Sequence, residues 1–186
     1  INDDTPTNAL NLTYSGTGDF ALGGDSQDLD GSIAEFLIYN TLLSTTDRQK
    51  VDSYLAIKYG LTLSNNYLNS TGSTVYTLDG TYNNNIIGIA KDINGSLDQR
   101  ISRSVDDTSN LTLSTDSNFS ANNLSHADTL LDGDHLVFGH NNASVTTTQT
   151  SELSAGFSKR IGREWKLTNT NSTTAINLNF GNLPAL

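Results

Sequence analysis

Carboxylates and carboxamides gather at four places along this chain, each beside a glycine or in a turn. Asp25, Asp28 and Asp30 precede Gly31, Asn83, Asn84 and Asn85 run consecutively, Asp92 and Asn94 lead into Gly95, and Asp132 and Asp134 flank Gly133. Oxygen atoms presented by turns suit calcium, a hard cation that takes about six to eight of them from carboxylates, carboxamides and backbone carbonyls. None of the four stretches has the terminal bidentate glutamate of an EF-hand loop. Each therefore also reads as an ordinary Asx turn. Asp25, Asp28, Asp30, Asn84, Asn85, Asp92, Asn94, Asp132 and Asp134 are the candidate metal ligands, and calcium is the expected cofactor.

Hydrolytic chemistry finds less to work with. There is no Gly-x-Ser-x-Gly elbow, and His126, His135 and His140 form no helical His-x-x-x-His pair. The three glutamates, Glu35, Glu152 and Glu164, stand apart from the paired carboxylates a glycosidase uses. The expectation is that the chain is not an enzyme.

Composition narrows the partners. Twenty acidic residues against ten basic give a net charge of −10 over 186 residues, which opposes phosphate backbones and anionic lipid. Nucleic acid is not expected as a partner, nor is membrane insertion, because no apolar run nears the roughly 20 residues of a span. Removing the three glutamates leaves 20 − 3 = 17 aspartates, a residue suited to turns and hard cations rather than helix interiors. With no cysteine, disulfides and thiolate sites are excluded.

The elements that must position these loops are mostly short alternating strands. Ile33–Tyr39 is nearly unbroken in β-branched and aromatic residues, as in a strand covered on both faces. Ser44 with Asp47 reads as a helix start, Lys58 and Gly60 as its end, and Val51, Tyr54, Leu55 and Tyr59 as its apolar face. Leu61 and Leu63 then read as the start of another alternating strand, 75–78 as a short strand and 86–90 as a second strand apolar on both sides. Further strands fall around Leu111 and Leu113, over 135–140, and over 163–167 and 176–180, the last two spaced like a hairpin. An early hairpin is expected over 10–22. The fold class is mainly β, an antiparallel β-sandwich with one prominent α-helix over about residues 45–59. Residues 1–8 form a lead-in segment and residues 9–186 a single ligand-binding domain.

The stretch GSIAEFLIYNTLLSTTDRQKVDSYLAIKYGLTL resembles the closing strand and helix of a LamG or concanavalin-like sandwich. The segments YNNNIIGIAKDINGSLDQRIS, DGDHLVFGHNN and RIGREWKL are similar to the peptide-binding domains of large calcium-dependent repeats-in-toxin adhesins of Gram-negative bacteria. The resemblance spans about residues 18–180. It implies a cell-surface, extracellular module, exported by type I secretion and monomeric within a longer chain. Its partners would be short peptides, gripped by a free C-terminal carboxylate coordinated to bound calcium. Matched positions that bear on the ligand are Gln99, His140, Asn141, Asn142 and Arg163, with Trp165 alongside. Ile93 departs from the pattern, which has an acidic residue there, and the opening half of a full sandwich is missing.

Calcium offers a physical reason for such a grip, since a partly coordinated cation makes an acidic surface attractive to another anion. Arg100, Arg103 or Arg163 can assist by bidentate pairing. Trp165, inside an alternating strand, reads as core rather than platform. Two alternatives stand beside this reading: a carbohydrate-binding lectin-like domain, and a structural spacer that calcium stiffens without any ligand.

Overall fold

The computed structural model describes residues 31–103, 111–120, 122–146, 148–181 and 183. The chain divides into two compact units, Asn2–Leu43 and Ser44–Leu186. In the smaller unit the described residues form neither helix nor strand. The central strand expected over 33–39 is thus not formed, and Ile33, Phe36, Leu37, Ile38 and Tyr39 are exposed. An apolar run becomes a central strand only when other strands pair with it on both edges, and none of the described ladders includes this one. The expected hairpin over 10–22 and the candidate ligands Asp25, Asp28 and Asp30 lie outside the described residues.

The larger unit opens with helix α1, Thr45–Tyr59. The Ser44 hydroxyl oxygen accepts the Asp47 amide at 3.1 Å and donates to the Asp47 carboxylate at 2.6 Å. Gly60, at φ 65°, closes the last turn with its amide on the Ala56 carbonyl. Start and stop agree with the sequence expectation, but the buried face does not. Ser53, Ala56 and Ile57 are buried, whereas Val51 and Leu55 are only half-covered. Close approach selects small residues here. The Ser53 hydroxyl donates to Gln49 O at 2.7 Å and accepts the Leu68 amide at 2.9 Å, and Ile57 lies over Gly88, where a Cβ would sit 3.5 Å from its Cγ2.

Eleven strands follow among the described residues: β1 (Tyr67–Leu68), β2 (Thr74–Tyr76), β3 (Asn84–Asp92), β4 (Leu97–Gln99), β5 (Ile101–Arg103), β6 (Leu111–Ser114), β7 (His135–His140), β8 (Thr148–Gln149), β9 (Arg160–Ile161), β10 (Trp165–Thr170) and β11 (Asn177–Phe180). Every ladder is antiparallel. The main sheet has the order β10-β7-β3-β4, a second has β11-β6-β5, and β1-β2 and β8-β9 are small pairs.

Strand β3 has both faces covered. Ile86 and Ala90 point to one side with Val137 of β7, into a cluster with Ala56, Ile57, Tyr67, Val75, Tyr76 and Leu97. Ile87 and Ile89 point to the other with Leu136 and Phe138, onto Leu111, Leu113 and Leu130. The result is a sandwich of two sheets whose larger sheet carries α1 on its outer face. Leu61 and Leu63 form no strand and pack against the first cluster, where the Tyr67 hydroxyl donates to Leu61 O at 2.9 Å. The expected hairpin of the last two strands is also not formed. β10 pairs with β7 and β11 with β6, so the polar loop between them crosses from one sheet to the other, and the Trp165 and Phe180 rings meet at 5.2 Å.

Candidate functional site

The candidate residues fall at the two ends of β3. At about 3.3 Å per residue, the path from Asn84 to Asp92 is roughly 25 Å, far beyond the reach of one cation.

The first end is acidic. β3 finishes at Asp92 and turns through residues 93–96 into β4, with Ser96 at φ 54° and its amide on Ile93 O at 3.1 Å. One Asp92 oxygen accepts the Ser70 amide at 2.7 Å, and the other accepts the Ser70 hydroxyl at 2.6 Å and the Gly95 amide at 3.0 Å. Burial pushes the Asp92 carboxyl up, but the Ser70 hydroxyl and amide and the Gly95 amide outweigh it and hold it below its ordinary value. The turn of Asp132 and Asp134 docks alongside. Asp132 accepts the Ile93 amide at 2.8 Å, Asp134 accepts the Leu131 amide at 2.9 Å, and Gly133 N donates to Lys91 O at 2.8 Å. Asn94 stands exposed at the hairpin tip. Gln99 is buried in β4 with its side-chain amide donating to Ile101 O.

These carboxylates bind amide and hydroxyl protons and tie two turns together. Among the described residues no group of three or more His, Asp or Glu side chains is placed to hold a metal ion. The cations at this end are engaged as well. Arg100 makes a bidentate pair with Asp98 at 2.9 and 2.6 Å and reaches Asp128 at 3.1 Å, and Lys91 reaches Asp128 at 2.7 Å.

His135 lies at the base of this end, buried, with Nδ1 3.0 Å from Gly133 O. Burial pushes its pKa below the ordinary 6.5. Between the two values the unfolded chain takes a proton that the folded one refuses, so stability falls as pH is lowered through 6.5. In chelator, the melting temperature of His135→Gln is expected to lose this part of its decline between pH about 8 and about 5. An unchanged decline would place its origin elsewhere.

The second end gathers Asn84, Asn85, His140, Asn141, Asn142 and Arg163. Asn84 donates its amide to His140 O at 3.1 Å, and Asn85, at φ 47°, is the residue of a β-bulge between Asn84 and Ile87. Asn141 accepts the amides of Ala143 at 3.1 Å and Glu164 at 3.2 Å, stapling the strand ends of β7 and β10. Asn142, exposed at φ 57°, donates its amide to His140 Nδ1 at 2.9 Å, which puts the proton of the neutral ring on Nε2. The Trp165 ring meets His140 edge-on at 6.4 Å. Arg163 Nε donates to Ala143 O at 2.8 Å.

A family model described as "Domain of unknown function (DUF8202)" matches residues 47–186. The chain belongs to the DUF8202 family. No curated protein and no solved structure matches it.

The DUF8202 domain brings further residues to the second end that sequence reasoning passed over. Arg160 pairs with Glu152 at 2.9 Å and Glu164 at 3.0 Å, Tyr82 donates its hydroxyl to Glu164 at 3.2 Å, and Lys166 pairs with Asp79 at 2.8 Å. The signal was present, since four of the chain's ten basic residues (Lys159, Arg160, Arg163, Lys166) fall within eight positions. The domain also holds one Ser-His-Asp grouping. Ser114 Oγ and Asp116 Oδ1 lie 3.0 and 2.9 Å from His126, but both contact Nδ1. A relay needs them on opposite ring nitrogens. The Ala127 amide, then His126, holds the Asp116 carboxyl down to about 2, so this group pins the loop after β6.

Proposed function

We propose that the chain is a non-enzymatic recognition module of a bacterial surface protein, and that it takes the free C-terminal carboxylate of a short peptide at its cationic end. What supports this reading is one convergence: Asn84, His140, Asn141, Asn142 and Arg163 gather at one end of the main sheet, and Arg163 comes from the stretch 159–166 that holds four of the ten basic residues of an acidic chain. The Arg163 guanidinium is oriented by its Nε bond to Ala143 O, so less entropy is lost when it takes a planar anion. The Arg160 bond to Glu152, whose side chain is 79% exposed, is a weak surface pair that an incoming carboxylate can displace.

In this reading arginine meets the anion directly. Calcium is not required for this grip, and at the opposite end Asp92, Asp132 and Asp134 already hold their turns through internal amide and hydroxyl protons.

Calorimetric titration with a short peptide and with its C-terminal amide, each in calcium and in chelator, tests the reading. The free acid is expected to bind at least about tenfold more tightly than the amide, a difference of about 1.4 kcal/mol, in both buffers. Arg163→Gln should abolish the difference. Equal binding of acid and amide, or none of either, sinks the proposal, and binding in calcium alone moves the grip to a metal.

A further inference from the structure

We infer that Asn94 is a site of spontaneous covalent modification, a self-deamidation that adds one more carboxylate to the acidic end. Asn94-Gly95 is the single Asn-Gly pair in the sequence, and the fold demands its glycine. A Cβ on Gly95 would meet Asp92 Cγ at 3.3 Å and Ser70 Cβ at 3.4 Å, so any side chain there presses on the buried Asp92 carboxylate. Asn94 itself is exposed at the tip of the β3–β4 hairpin, where neither packing nor a ladder hydrogen bond restrains its side chain.

The step is intramolecular. The Gly95 backbone nitrogen attacks Asn94 Cγ, a C–N bond forms, and the side-chain amide leaves as ammonia. The Gly95 amide proton, whose nitrogen stands 3.0 Å from Asp92 Oδ1 in the folded chain, passes through solvent to the departing amide nitrogen and completes the ammonia. Water then opens the succinimide at either carbonyl, leaving Asp or isoAsp at position 94. No oxidant, reductant or cofactor is consumed.

The product changes the turn. A new carboxylate joins Asp92, Asp132 and Asp134, and isoAsp lengthens the backbone by one methylene between Ile93 and Gly95. Their amides are the two that reach Asp132 and Asp92. The modified chain is therefore more acidic and less stable.

The native protein, incubated at neutral pH and physiological temperature, is analysed by peptide mapping with isoAsp detection, while a parallel sample is treated with hydroxylamine to trap the succinimide. The Asn94 peptide is expected to gain the amide-to-acid mass difference ahead of every other asparagine, in both Asp and isoAsp forms. Hydroxylamine should cut between residues 94 and 95. An acidic species with a lowered melting temperature should accumulate on ion exchange. Asn94→Gln should show none of these changes while keeping the starting melting temperature. An intact Asn94 after another asparagine has reacted, or no hydroxylamine cleavage at that bond, overturns the inference.

Discussion

Gly139→Ala is expected to lower stability by about 3 kcal/mol or more, a large share of the roughly 5–15 kcal/mol that holds such a domain folded. A Cβ at this position of β7 falls on the Tyr82 carbonyl oxygen, the Tyr76 hydroxyl and Ile86 Cδ1. Neither of the first two can yield. Tyr82 O belongs to the backbone, and Tyr76 is fully buried, edge-on to Tyr67 with ring centroids 6.0 Å apart, its hydroxyl donating to that same carbonyl at 2.6 Å. Overpacking costs about 1–3 kcal/mol, and breaking the buried hydrogen bond costs about 1–3 more. Urea unfolding measures the sum. Tyr76→Phe alone should cost about 1 kcal/mol and, by removing one of the colliding atoms, should recover part of the loss in the double variant. A Gly139→Ala protein as stable as the parent would mean that β2 does not lie over β7.

Asp92→Ala carries the other large effect, about 2–4 kcal/mol, from leaving the Ser70 amide and hydroxyl and the Gly95 amide without their acceptor. The loss should be the same in calcium and in chelator, because the carboxylate serves the turn rather than an ion. Its pH dependence has a definite sign. The folded pKa lies below the ordinary 3.8, so the contribution is complete above that value and disappears as pH falls through the lower, folded one. Asp92→Ala should therefore flatten the acid limb of the stability curve. A destabilisation seen only in calcium would make Asp92 a metal ligand and overturn its role as a turn-tying acceptor.

Local signals in the sequence were enough for α1, since the Ser44 cap, Asp47 and the Gly60 stop act within one turn of the helix ends. They were also enough for β3 and β7, whose alternate residues enter two different clusters. Ile33–Tyr39 has the same composition but no partner strand among the described residues, and composition cannot report who the neighbours are. The buried face of α1 was misread for a related reason: hydrophobicity favours Val51 and Leu55, but the buried positions are Ser53, whose hydroxyl takes the Leu68 amide, Ala56 in the first cluster, and Ile57, which packs over Gly88. At the candidate site, the sequence marked the Asp-rich turns without revealing that Ser70, distant in the chain, supplies protons to Asp92. Nor did spacing reveal that Asn84 and Asp92, eight residues apart on one strand, stand at opposite ends of the sheet.

That separation of ends is tested most directly by amide chemical-shift mapping, as a short peptide with a free C-terminal carboxylate is added in chelator. Shifts should appear at Asn84, His140–Asn142 and Arg160–Lys166, while Ile93–Ser96 and Leu131–Asp134 stay in place. Shifts centred on the Asp92 and Asp132 turns, or shifts that appear only when calcium is restored, would contradict a calcium-independent grip at the cationic end.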